Sequence, residues 1–85
     1  MSELLMIPNI GKVLEQQLND IGVNTFEQLK AVGSKQAWLN IKANDPSACY
    51  NRLCGLEGAI QGIRWHQLSD ETKKELKDFY NSFKL

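Results

Sequence analysis

Cysteine, proline and histidine are scarce in this sequence, and there is no excess of charge. Of its 85 residues, two are Cys, two are Pro and one is His. Ten basic side chains balance ten acidic ones, for a formal net charge of zero. That balance excludes a strongly cationic domain that holds DNA by bulk electrostatics. Cys49 and Cys54 stand on one stretch, and on an α-helix that separation turns them about 140° apart. They cannot bridge each other there or share a metal, so they are expected to be buried thiols of a reducing compartment. One histidine and two divergent cysteines give no zinc set, and no glycine-rich phosphate loop is present. No metal and no other cofactor is expected.

Long apolar runs are also missing. Nothing approaches the roughly 20 residues that cross a membrane. The start, Met1-Ser2-Glu3-Leu4-Leu5-Met6-Ile7, has neither the basic opening nor the cleavage site of a signal peptide. A cytoplasmic protein with no membrane partner is expected. No stretch alternates with period two over β-branched residues, so no sheet is expected.

What the sequence does have is helical periodicity. Leu4 to Ile7 form a short apolar lead that Pro8 ends. Asn9 is then placed to cap a helix with Ile10, Val13, Leu14, Leu18 and Ile21 on its apolar face, stopped by Gly22. Thr25 and Gln28 form a capping box for a second helix carrying Phe26, Leu29 and Val32, up to Gly33. Ser34 is placed to cap a third, with Ala37, Trp38 and Ile41 inward. A central helix is expected to start at Asp45-Pro46, with Asp45 as cap and Pro46 in the first position. Cys49, Leu53, Leu56, Ile60 and Ile63 stack along one side of it. Ser69 caps the last helix, with Asp70 and Glu71 at its positive end, Leu76, Phe79, Tyr80 and Phe83 as its stripe, and Lys73, Lys74, Lys77 and Lys84 outside. The reading is one all-α domain of about five helices over residues 1–85. Its core should include Leu14, Leu18, Leu29, Trp38, Leu53, Leu56, Ile60 and Phe79.

Three places invite a functional reading. Gly55, Gly58 and Gly62 give the central helix a thin face. Each glycine inside a helix costs about 0.5–1 kcal/mol against Ala, so their number points to close approach by another backbone. That neighbour is either a helix of the same chain or a second subunit, for a monomer or a homodimer. At the helix exit, Arg64-Trp65-His66 reads two ways. Arg64 and Trp65 suit base stacking or a partner contact, while in a purely structural role Trp65 closes the core and its basic neighbours meet the last carbonyls. The third place is Ile7-Pro8-Asn9-Ile10-Gly11-Lys12, which resembles a helix-hairpin-helix segment. In that family a tight turn opens a helix whose free N–H groups contact a nucleic-acid phosphate, as the general chemistry of helix starts permits. Asn9 takes the place of the first turn glycine, Ile10 and Gly11 match the next two positions, and Lys12 adds a charge. Asn9 through Lys12 are therefore the candidate nucleic-acid contacts.

Ser69, His66 and Asp70 bring a hydroxyl, an imidazole and a carboxylate close in sequence. A triad needs converging geometry and an oxyanion site, whereas capping accounts for Ser69 and Asp70. No catalytic residue is assigned and no enzyme is expected.

The run Asp45-Pro46-Ser47-Ala48-Cys49, then Leu56 through His66, with Pro8-Asn9-Ile10-Gly11 and Gly33-Ser34-Lys35, resembles the C-terminal domain of the TfoX/Sxy competence regulators. The resemblance implies a domain similar in type to helix-hairpin-helix modules. It also implies a bacterial regulator of DNA-uptake competence that acts with a transcription activator. Full-length members carry an N-terminal α/β domain, and this chain is expected to be a free-standing C-terminal-like domain. Together these readings favour a non-enzymatic regulatory module that binds a protein partner within a nucleic-acid complex. Direct, weakly sequence-specific DNA binding through the hairpin is the alternative.

Overall fold

Helix boundaries follow local chemistry at most ends of the molecule. The computed structural model describes residues 3–83; Lys84, expected on the outer face of the last helix, and the first two residues lie outside them. After a 3-10 turn at Glu3–Met6 come α1 (Lys12–Asp20), α2 (Phe26–Val32), α3 (Ser34–Asn44), α4 (Tyr50–Gln61), a second 3-10 turn (Trp65–Gln67) and α5 (Asp70–Ser82). There is no strand among the described residues. α1 ends in a Schellman motif, with Val23 N–H donating to Leu18 O at 2.8 Å and Gly22 N–H to Asn19 O at 3.0 Å. The Thr25 hydroxyl accepts from Gln28 N–H at 3.1 Å, while Gln28 Oε1 accepts from Asn24 N–H at 2.7 Å, one residue before the expected partner. Ser69 caps α5 by accepting from Thr72 N–H at 3.1 Å.

Leu4, Leu14, Leu18, Val23, Leu29, Trp38, Ile41, Leu53, Leu56 and Leu76 form one buried cluster. α4 is its hub, packed against α3, α5, α2 and the second 3-10 turn. The radius of gyration is 11.8 Å, close to the roughly 12 Å of a compact chain of this length. Of the expected core residues, Ile60 and Phe79 are only partly buried and pack on the margin of the cluster. Val13, Val32 and Phe83, expected on apolar stripes, are exposed.

Four expectations at helix ends are corrected. α4 begins at Tyr50, with Cys49 as its N-cap, not at Pro46. Residues 45–48 instead form a turn closed by Ala48 N–H on Asp45 O at 3.0 Å, with Pro46 in the second position that such turns favour. Asp45 caps nothing, since its carboxylate accepts from Ser47, Gln17 and Arg52. Ser34 is the first residue of α3 rather than its cap, and its hydroxyl donates to Glu57 Oε1 at 2.6 Å, tying α3 to α4. Asn9 does not cap α1; Gly11 holds that place without a side-chain bond. The cysteines also separate: Cys54 is buried, Cys49 exposed.

Candidate functional site

Asn9 connects two parts of the chain that are remote in sequence. Its backbone is left-handed, with φ 73°, the one positive φ outside glycine among the described residues. Asn accepts that conformation more readily than most side chains. The side chain then points at the end of α4. Its Nδ2 donates to Ile63 O at 2.9 Å and to Gly55 O at 3.4 Å, and its Oδ1 accepts from Trp65 N–H at 3.1 Å. One amide thus satisfies backbone groups on both sides of the helix end, where unpaired carbonyls are otherwise left over.

The glycines make room for this contact. A Cβ on Gly58 would lie 2.7 Å from Asn9 Nδ2, 2.9 Å from Ile63 O and 3.1 Å from Trp65 Cα. Close approach therefore comes from a turn residue and the segment that leaves the helix, rather than from a second helix. Gly55 meets Asn9 Cβ at an ordinary 3.7 Å. Gly62 is not on the helical face at all. It ends α4 in the left-handed conformation, φ 77°, so that Ile63 N–H turns back to Gly58 O at 2.9 Å. The expected three-glycine face is thus two buried glycines covered by Asn9 and one exposed terminator.

Along this junction runs a groove of about 570 Å³. Asn9, Gly11, Lys12 and Val13 line it from the N-terminal turn and the start of α1. Cys49 at the N-cap of α4, Arg52 and Gly55 within it, and Arg64, Trp65 and His66 beyond its end also line the groove. Sequence candidates from the hairpin and from the helix exit therefore meet in one place. Ile10 does not face it; that side chain is 6% exposed and anchors the start of α1 in the core. Trp65, expected to close the core, is 36% exposed and lies edge-on to His66 with ring centroids 5.3 Å apart. The His66 carbonyl accepts from Lys73 Nζ at 3.1 Å, so α5 supports this turn together with the Arg64 backbone, whose carbonyl accepts from Gln67 N–H at 2.9 Å.

Arg52 and Val13 were missed as site residues. Arg52 stands one helical turn before Gly55, on the same side of α4, and that spacing was the available signal. It bonds Asp45 Oδ2 at 3.0 Å. The Ser47 hydroxyl and backbone N–H, then Arg52 and Gln17, hold the Asp45 carboxyl well below the usual carboxylate range. Lys12 and Arg64 have no ion-pair partner among the described residues. No acidic side chain lines the groove.

Ser69 bonds Thr72 through both its backbone cap and a hydroxyl–hydroxyl contact of 2.9 Å. Burial raises the Cys54 thiol pKa, and burial beside Cys54 pushes Tyr50 up to about 12. Among the described residues no group of three or more His, Cys, Asp or Glu side chains is placed to hold a metal ion, and no helix is long and apolar enough to cross a membrane.

The family model described as the TfoX C-terminal domain matches residues 1–80. Protein Sxy of Escherichia coli K12 is 30% identical over 76 residues, which are 89% of this chain and 36% of Sxy. The chain thus spans about a third of that relative's length. Two crystal structures from Listeria monocytogenes share the fold. One, of an uncharacterized protein in a triclinic form, is 56% identical with a TM-score of 0.91, covering 93% of this chain and 90% of that one. The other, of a protein of unknown function in a tetragonal form, is 54% identical with a TM-score of 0.93, covering 95% and 99%.

Proposed function

Because the chain belongs to the TfoX C-terminal domain family, we propose that it is a non-enzymatic regulatory module of the competence-regulator kind, which docks a protein partner in the groove between the Asn9 turn and the end of α4. One observation carries this reading: Lys12, Arg64 and Trp65, drawn from segments more than fifty residues apart, line one concave surface. A partner hot spot of this type combines an aromatic with an arginine. The neutral net charge favours a protein surface over bare duplex DNA.

Direct DNA binding is the second reading, and the start of α1 favours it. Gly11 caps without a side chain, so the first N–H groups of the helix are left beside Lys12 for an anion. The two readings separate in a pull-down of the full chain from its native cell, with and without nuclease, using wild type and Arg64→Glu. A protein retained after nuclease and lost with Arg64→Glu supports docking in the groove. Retention that needs nucleic acid, together with duplex binding that falls steeply with salt in fluorescence anisotropy, supports the DNA reading instead.

A further inference from the structure

The charge pattern of the groove points to the class of partner, and this step rests on the docking reading above. Lys12, Arg52 and Arg64 approach it from three segments, and no carboxylate lines it. In a chain with equal numbers of acidic and basic residues, that is local segregation of charge. Asp45 engages Arg52, which leaves Lys12 and Arg64 as the cations lining the groove that have no ion-pair partner among the described residues. Beside each cation stands an apolar side chain. Val13 is 69% exposed next to Lys12, and Trp65 is 36% exposed next to Arg64.

We infer that the groove takes a short acidic peptide segment of a partner protein, with carboxylates on Lys12 and Arg64 and an apolar residue between Val13 and Trp65. Charge complementarity sets the sign of the ligand. The apolar walls favour a peptide over a phosphate backbone, which would leave Val13 and Trp65 without a partner. The volume, about 570 Å³, lies in the range that holds a small ligand or a few residues rather than a folded surface.

A random-sequence peptide library selected against the full-length chain tests this directly. Enriched peptides should carry net negative charge and at least one Leu, Phe or Trp. Synthesised and titrated into isotope-labelled protein, they should shift the amides of Lys12, Val13, Arg52 and Trp65. Lys12→Glu with Arg64→Glu should weaken binding by more than about tenfold, and the milder Lys12→Gln with Arg64→Gln should weaken it less, both with unchanged circular dichroism. Enriched peptides that are neutral or basic yet shift the same amides would overturn the acidic specificity and leave the groove reading standing. Acidic peptides that shift amides elsewhere would overturn both. A duplex or single-stranded oligonucleotide that outcompetes the peptides for these amides would overturn the peptide assignment in favour of nucleic acid.

Discussion

The two tryptophans sit in contrasting environments. Trp38, on α3, is fully buried; its Nε1 donates to Cys49 O at 3.1 Å, and Phe79 and Tyr80 meet it edge-on at 6.0 and 5.6 Å. Trp65, in the second 3-10 turn, keeps over a third of its surface in solvent and is fixed through its backbone N–H by Asn9. Around Trp38, regular helices pack along apolar stripes. Around Trp65, irregular backbone is held by side-chain amide bonds and by glycines. The first region supplies stability; the second trades packing for an open, charged surface.

The largest expected effect breaks the core side of this contrast. Trp38→Ala should cost about 3–5 kcal/mol in denaturant unfolding, while Trp65→Ala should cost below about 1 kcal/mol. Equal costs would mean that Trp65 is also a core residue. Next comes Asn9→Ala, which removes hydrogen bonds worth about 0.5–1.5 kcal/mol each and places alanine at a left-handed φ. Asn9→Gly removes the same bonds without that strain, so it should be more stable than Asn9→Ala by about 1 kcal/mol. Gly58→Ala should destabilise by about 1–3 kcal/mol through overpacking, although Ala is the better helix former; a more stable variant would show that Ile63 and Trp65 yield easily.

The smallest effect is electrostatic. Hydrogen bonds and Arg52 depress the Asp45 pKa in the folded chain, so its contribution to stability is full above the ordinary carboxylate range and is lost as pH falls through the folded value. Asp45→Asn should therefore flatten the fall in melting temperature between about pH 5 and pH 2. An unchanged slope would assign the acid sensitivity to other carboxylates.

These regions also differed in how far they could be read from sequence. The core follows a period of 3.6, and Leu14, Leu18, Leu29, Trp38, Leu53 and Leu56 all lie inside. The Thr25 and Ser69 caps and the Gly22 stop are local signals and stand as expected. Errors came where a polar residue had two local uses. Asp45 and Asn9 both have cap chemistry, but the first is taken by Ser47, Gln17 and Arg52, and the second by Ile63 and Trp65 beyond the end of α4. The hairpin and the helix exit were visible as separate segments. Their convergence was not, because the bonds joining them span 46 to 56 positions and leave no periodic trace.

The Asn9 amide, bonded to Ile63 and Trp65 over the bare Cα of Gly58, is the joint at the groove, and a double-mutant cycle measures how closely the two are packed. Asn9→Gly, Gly58→Ala and the double variant would be compared by denaturant unfolding. With Asn9 Nδ2 gone, the added methyl group loses its nearest obstacle. The double variant should then be destabilised by less than the sum of the single costs, by at least about 0.5 kcal/mol. Costs that add to within about 0.3 kcal/mol would contradict the packing of the Asn9 amide over Gly58 and leave the backbone of Ile63 and Trp65 as the obstacle to the methyl group.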